Sequence, residues 1–139
     1  MSFDNRIKDF QNRGYEVPNH QMIKTPEQIE GIREAGKRNT MVLDYITPFV
    51  KEGVTTEELD RRIEEYTRKM GCIPACLHYQ GYPKSVCISV DDVVCHGIPS
   101  ENQVLKSGDI VNVDCTTIYN GYFGDSSRMF CIGDLSEEK

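Results

Sequence analysis

The chain has 139 residues, 38% hydrophobic and 27% charged, and its formal net charge of −6 argues against specific nucleic-acid binding. This length and composition are those of one ordinary globular domain. No apolar run is long enough for a membrane span or a secretion signal, so we expect a cytoplasmic protein with no membrane partner.

The N-terminal segment 1–22 is polar and shows no sustained hydrophobic period, which predicts an extension before a folded body at 23–139. A helix is predicted after Thr25, because Thr25-Pro26-Glu27-Gln28 combines an N-cap hydroxyl, a proline at the first helical position and a glutamine that closes a capping box. Pro48 predicts its end. Its predicted buried stripe consists of apolar residues at helical spacing: Ile29, Ile32, Ala35, Val42 and Ile46.

A second helix is predicted from Thr55-Thr56-Glu57-Glu58, a second capping box, to Gly71, a residue suited to a left-handed C-terminal position. Apolar residues recur on one face and predict contact with the core: Leu59, Ile63, Tyr66 and Met70. The charged residues between them predict a solvated face: Arg61, Arg62, Glu64 and Glu65.

From about residue 84 the hydrophobic period changes to alternation, which predicts strands. Val86, Ile88 and Val90 predict one strand, and Val93 and Val94 predict a second strand after a turn at Asp91-Asp92. A loop over 97–109 leads to a long strand from Ile110 to Ile118. Asn120-Gly121 then predicts a hairpin with a type I′ turn, because both residues tolerate positive φ.

This hairpin brings two carboxylates together. A two-residue loop places Tyr119 opposite Tyr122 and Thr116 opposite Asp125, so Asp114 emerges on the same sheet face as Asp125. Such close carboxylates repel each other unless one is protonated or a cation lies between them, which suits a divalent metal or a bridged pair of metals. The residues alone leave an alternative open, in which Asp114 is merely exposed on an edge strand and Asp125 is a local turn residue. The prediction also depends on the register, because a three-residue loop would place the two aspartates on opposite faces.

His96 is the histidine with the strongest context, because it lies where an apolar run opens into a loop, although a lone histidine is usually structural. His20 and His78 are weaker candidates. The six cysteines contain no Cys-x-x-Cys pair, which argues against a zinc ribbon or a thioredoxin-like site. We expect them to be reduced, small core residues.

Four segments carry a family resemblance: Tyr79–Ser89, Val94–Pro99, Gly108–Asp114 and Gly121–Ser127. Together they resemble the type I methionine aminopeptidases of peptidase family M24, and the resemblance runs from about residue 23 to about residue 133. It implies a mixed α/β (α+β) chain that forms the N-terminal half of the pita-bread (creatinase/aminopeptidase) fold, with two helices against an antiparallel sheet. Gln80 and His78 depart from the residues that relatives often carry.

The resemblance also implies site residues. Two divalent metal ions (Co, Mn, Fe, Zn or Ni) are implied, with Asp114 as a ligand of one and Asp125 bridging both. His96 matches the histidine that contacts the scissile peptide and the tetrahedral intermediate. In some members a turn matching Asp91 and Val93 holds a monovalent cation. Four residues match positions that line or support the pocket for the methionine side chain: Cys76, Tyr79, Tyr82 and Cys87.

The implied activity is removal of the initiator methionine from proteins and peptides whose next residue is small, by metal-bound hydroxide. The remaining ligands, a histidine and two glutamates, belong to a C-terminal half, so the chain alone is expected to turn over little. The expected partners are this C-terminal half and nascent proteins or peptides with an N-terminal Met. A non-catalytic peptide-binding relative and a fragment acting only in assembly remain alternatives. Prolidase-like relatives share the fold, but Cys95–Pro99 favours the methionine-specific group.

Overall fold

The computed structural model describes residues 3–17 and 22–137, and these contain three α-helices and four β-strands. The helices are α1 (Phe3–Asn12), α2 (Pro26–Ile46) and α3 (Thr56–Lys69). The strands are β1 (Ile73–Pro74), β2 (Cys87–Val90), β3 (Ile110–Tyr119) and β4 (Tyr122–Cys131). None of the helices in the described ranges combines the length and the apolarity that crossing a membrane requires.

The sheet is built around β3, and all of its pairings are antiparallel. β4 pairs with β3 along its whole length, from Ile110↔Cys131 to Tyr119↔Tyr122. β1 and β2 follow one another along the other edge, where Ile73 pairs with Ile118 and Cys87 with Asp114. The predicted antiparallel sheet is therefore present, with the long hairpin as its main part.

The hydrophobic core lies between this sheet and the helices α2 and α3. Alternate residues of β3 are buried on the helix side, and Asn112, Asp114 and Thr116, which are less buried, lie on the opposite face. The largest core side chains come from all of these elements and from the loop before β3: Val42, Ile46, Leu59, Ile63, Val86, Ile88, Leu105, Val111, Val113 and Ile132. One sheet face is thus covered, and the other is left open.

The buried face of α2 differs in part from the prediction. Ala35, Val42 and Ile46 are fully buried, but Ile29 and Ile32 are exposed, so their assignment to the core is wrong. The first turns of α2 approach the hairpin through Gly31 instead, where a Cβ atom would come within 2.5 Å of Tyr122 Cδ2. The helix is therefore rotated so that its small residue faces the tyrosine ring and the two isoleucines point away.

Asn39 is a fully buried polar residue that ties α2 to both strands of the hairpin. Its Nδ2 donates to Cys115 O at 2.9 Å and to Ser126 Oγ at 2.8 Å. Its Oδ1 accepts a hydrogen bond of 2.7 Å from Thr117 Oγ1. Because each of these buried polar groups has its partner, the helix holds the hairpin in one position.

The predicted helix starts agree with the structure, with one correction. Thr25 Oγ1 accepts from Gln28 N at 3.2 Å and Gln28 Oε1 accepts from Thr25 N at 2.9 Å, so the first capping box is confirmed. Thr55 caps α3 by accepting from Glu58 N at 3.1 Å. The second capping box is wrong in one respect, because the Glu58 carboxylate does not return a bond to Thr55 N. It pairs with Arg61 on the exposed face of the helix instead.

Two segments fold differently from the predictions. A helix, α1, forms within residues 1–22, where no regular element was expected, while residues 18–21 of that extension lie outside the described part of the chain, His20 among them. The predicted strand at Val93 and Val94 is wrong. The strand ends at Val90, whose carbonyl accepts from Val93 N at 3.1 Å, and Val94 is 94% exposed. The short strand β1 was not predicted.

The six cysteines are all free, but only part of the core prediction holds. Cys72, Cys87 and Cys115 are buried, as expected of small apolar residues. Cys95 and Cys131 are exposed, so the core assignment is wrong for both of them.

We predict that Asn39→Ala lowers the free energy of unfolding by about 2–4 kcal/mol, because it removes the buried hydrogen bonds that Asn39 makes with Thr117 Oγ1, Cys115 O and Ser126 Oγ. Urea denaturation followed by circular dichroism measures the loss. Thr40→Ala, on the exposed side of the same helix, is the control and should change stability by less than about 0.5 kcal/mol. Equal losses in both variants would show that Asn39 holds nothing in place.

Candidate active site

A cavity of about 530 Å³ opens on the sheet face opposite α2. All seven residues that the sequence analysis assigned to the site line this cavity. Its lining is Cys76, Tyr79, Gln80, Gly81, Tyr82, Pro83, Cys87, His96, Ile98, Asp114, Thr116 and Asp125. Residues from β3, β4, the start of β2 and two loops therefore meet at one place.

The predicted hairpin register is confirmed residue by residue. Tyr119 pairs with Tyr122 and Thr116 with Asp125, and the turn residues Asn120 and Gly121 have φ of 49° and 80°. Asp125 is also held from β3, because Thr116 Oγ1 donates to Asp125 Oδ1 at 2.9 Å. Asp114 and Asp125 therefore lie on one face as diagonal neighbours.

The electrostatics of this pair favour a cation. Burial raises the pKa of Asp114, and the charge of Asp125 raises it further, while His96 acts in the opposite direction. A cation between the two carboxylates would remove this repulsion. A carboxylate whose pKa is raised mainly by burial and then by a like charge is typical of functional sites.

The donor set fits part of a divalent metal site. Asp114 and Asp125 offer hard carboxylate oxygens from adjacent strands, which suit divalent ions and can bridge two of them. Within residues 3–17 and 22–137 no group of three or more His, Cys, Asp or Glu side chains is placed to hold a metal. The two aspartates can therefore be ligands but need further donors to complete a site.

His96 is presented to the cavity by a tight turn. Its φ of 55° lies in the left-handed region, which is uncommon for a residue other than glycine. The next residue is held against β2, because Ile88 N donates to Gly97 O at 2.9 Å and Gly97 N donates to Ser89 Oγ at 3.2 Å. A Cβ atom at Gly97 would overlap the Ile88 carbonyl, so only glycine allows this approach.

Tyr82 connects this turn to the loop that forms the other wall of the cavity. Its hydroxyl lies 2.9 Å from Gly97 O and 3.1 Å from Val86 O, and its one proton is shared between these two carbonyls. Burial, with Cys87 as the next cause, raises the pKa of Tyr82, so the phenol keeps its proton for this bond. Tyr82 therefore supports the cavity as well as lining it.

The remaining predicted pocket residues differ in exposure. Cys87 is buried and Cys76 is half-buried, and burial is the main cause that raises the pKa of Cys76 to about 11. Tyr79 is 67% exposed at the rim, where Gln80 Nε2 donates to its hydroxyl at 3.3 Å. His78 and Gln80 both have positive φ, so this rim is built from an unusual backbone path.

The sequence analysis missed two residues that hold parts of the site in position. Asp60 of α3 is buried, and its Oδ1 accepts from Ser85 N at 2.8 Å and from Val86 N at 3.1 Å, which fixes the loop end next to Tyr82. Nothing in the charged run around Asp60 distinguishes it from its solvated neighbours. Thr116 could have been found, because the predicted register already placed it opposite Asp125.

The monovalent-cation site stays a prediction. Asp91 has a φ of 53° in the turn after β2, and its Oδ1 accepts from Ile110 N at 3.1 Å. Val93 lies in the same turn. The turn is thus tied to the start of β3 by a carboxylate.

We predict that Asp125→Asn stabilises the metal-free protein at pH 7. The raised pKa of Asp114 means that the folded state binds its proton more tightly, so stability falls as pH rises through that pKa. Asparagine removes the charge and keeps an oxygen acceptor for Thr116. The midpoint of urea unfolding in chelator should therefore rise, and the gain should vanish in acid, where Asp114 is protonated.

The control for this prediction is Asp92→Asn, the same change at an exposed turn residue outside the cavity. A gain of equal size at Asp92, or a gain at Asp125 that persists in acid, would show that repulsion across the cavity is not the cause.

Comparisons with known proteins agree with this geometry. The model of metallopeptidase family M24 matches residues 30–139. The methionine aminopeptidase of Haemophilus influenzae is 55% identical over 112 residues, which are 80% of this chain and 42% of that protein. The chain therefore spans less than half of the length of this curated relative.

Solved structures show the same relationship. The methionine aminopeptidase of Rickettsia prowazekii matches with a TM-score of 0.81 and 45% identity over 84% of this chain and 46% of its own. The Xaa-Pro dipeptidase of Bacillus anthracis, at 22% identity and a TM-score of 0.73, shares the fold over 99% of this chain and 39% of its own. These matches confirm the predicted half of the pita-bread fold. The chain belongs to metallopeptidase family M24.

Proposed function

We propose that this chain supplies the N-terminal half of a metal-dependent methionine aminopeptidase, which removes the initiator methionine from nascent proteins and peptides whose next residue is small. The observation that carries the proposal is the convergence of Asp114, Asp125 and His96 in one cavity that also has sulfur and aromatic walls. The named activity of the similar Haemophilus influenzae and Rickettsia prowazekii proteins supports it. A cytoplasmic location is part of this proposal and rests on the sequence alone.

Asp114 and Asp125 are proposed as metal ligands, with Asp125 between two ions. Bound divalent ions would supply an activated water and would polarise the carbonyl of the peptide bond to be cleaved. Thr116 positions the Asp125 carboxylate by donating to Oδ1, and Oδ2 would be available to hold a metal. Carboxylates accept cobalt, manganese, iron, zinc or nickel, so the residues present do not select among them.

His96 is proposed to contact the substrate peptide. Negative charge develops on the carbonyl oxygen when water adds to a peptide bond, and a prepositioned donor stabilises it. The clamp of Gly97 by Ile88, Ser89 and Tyr82 limits movement of the turn that carries the imidazole. His96 can therefore act as a donor without a large rearrangement.

The other wall of the cavity is proposed to receive the methionine side chain. Cys76, Cys87 and the tyrosine rings offer polarizable and flat surfaces, which suit a flexible thioether. The ring of Tyr79, which is exposed at the rim, would then lose contact with solvent when the methionine side chain enters the cavity. The loop that carries these residues thus contributes to specificity for Met.

The remaining ligands are proposed to come from a C-terminal half that packs on the open sheet face. The register places three exposed apolar side chains on the same face as the aspartates: Ile73, Phe123 and Met129. Exposed large apolar side chains beside a polar site are typical of an interface. The chain alone is then expected to turn over little.

We predict that this chain, mixed with a matching C-terminal half and cobalt or manganese, releases methionine from a Met-Gly peptide. Either Asp114→Asn or Asp125→Asn should abolish the release, because each removes a charged ligand without changing side-chain size. Methionine is measured by chromatography. Asp92→Asn is the matched control and should keep full activity.

Activity from the chain alone would refute the need for a second half. If both halves fold and pair but release no methionine with any of the five metals, the aminopeptidase proposal is wrong and a non-catalytic peptide-binding role replaces it.

We also predict that His96→Ala lowers kcat of the reconstituted enzyme by about 10²–10³-fold, since removal of one donor to the developing charge has this effect in other hydrolases. KM should change much less. Cys95→Ala, at the exposed neighbouring position of the same turn, should leave both constants unchanged. A rise in KM with an unchanged kcat would assign His96 to binding only.

A further inference from the structure

Residues 77–86 leave the sheet and return to it as a loop, and a cysteine flanks each end. Ala75 N donates to Thr116 O at 2.8 Å, which brings Cys76 alongside β3, and Cys87 pairs directly with Asp114 on the same edge of that strand. The loop therefore has a narrow neck, with Cys76 on one side and Cys87 on the other. Tyr79 and Tyr82, which both line the cavity, lie on this loop.

The two thiols at the neck line the same cavity and influence each other. Burial, and then the charge of Cys87, raises the pKa of Cys76. Both cysteines are free, and both line the cavity, so small solutes can reach them. Cys95 and Cys131 are more exposed, which makes them useful controls.

We propose that Cys76 and Cys87 are a reversible oxidation site, at which a peroxide converts the two thiols into a disulfide that closes the neck of the 77–86 loop. In the first step one sulfur attacks the O–O bond, giving R–SOH and water. In the second step the other thiol attacks that sulfur, the S–O bond breaks, and the hydroxyl leaves as water with the thiol proton. The two thiols lose two electrons, and one peroxide becomes two waters.

The neighbourhood sets the order and the speed of these steps. Cys76 is the more accessible of the pair, so it is the sulfur that meets the peroxide first. The second step is intramolecular, between two groups on the same edge of β3 and on the same cavity, so it outruns further oxidation of the sulfenic acid.

The disulfide would change the cavity. Both sulfurs would turn from the wall towards each other, and the loop carrying Tyr79 and Tyr82 would be fixed at its neck. This consequence rests on the proposed function, because the altered wall is the one assigned to the methionine side chain. Reversible loss of methionine release is therefore expected on oxidation.

The test treats the protein with hydrogen peroxide, blocks the remaining thiols with an alkylating reagent and maps the digest by mass spectrometry. The Cys95→Ser/Cys131→Ser variant is used, so that the two exposed thiols cannot contribute. We expect a linked pair of peptides joined through Cys76 and Cys87, which dithiothreitol separates. The Cys76→Ser variant should give no linked pair, and circular dichroism checks that it is folded.

Separate sulfinic acids at Cys76 and Cys87, or two reduced thiols under conditions that oxidise Cys95 in the unmodified chain, would overturn the proposal. The readout does not depend on catalysis. If the linked pair forms but the reconstituted protein never releases methionine, the oxidation site is retained and the aminopeptidase proposal is rejected. If methionine is released but no linked pair forms, the aminopeptidase proposal is retained and the oxidation site is rejected.

Discussion

The register of the β3–β4 hairpin is the constraint on which the cavity depends. The register is fixed from the helix side by two glycines. A Cβ atom at Gly124 would overlap the backbone of Ala35, and the missing side chain of Gly31 makes room for the ring of Tyr122. Asn39 adds hydrogen bonds to both strands. A slip of one residue would move every side chain of β4 to the other face, so the contacts that hold α2 also hold Asp125 beside Asp114.

A second chain of contacts leads from α3 to the histidine. The buried carboxylate of Asp60 fixes the backbone N–H groups of Ser85 and Val86, and the hydroxyl of Tyr82 joins Val86 to Gly97. Gly97 follows His96 directly. Because each link is buried or half-buried, a helix on the covered side of the sheet positions a side chain in the cavity on the open side.

Several features that are unfavourable for stability meet at this cavity. Asp114 and Asp125 repel each other, His96 and two rim residues adopt left-handed backbone conformations, and large apolar side chains stay exposed on the same sheet face. This combination is what is expected when a scaffold holds groups in place for a ligand and for a further part of the structure.

The sequence by itself determined the two main helices, the hairpin and the shared face of the aspartates, because capping residues, hydrophobic period and an Asn-Gly turn act over a few neighbours. It could not assign Ile29 and Ile32 to the surface, since the rotation of α2 depends on how Gly31 meets Tyr122. Nor could it separate Asp60 from Arg61, because a carboxylate is tolerated in the core only where distant backbone donors meet it. Those choices belong to the tertiary structure, which brings together groups that are far apart along the chain.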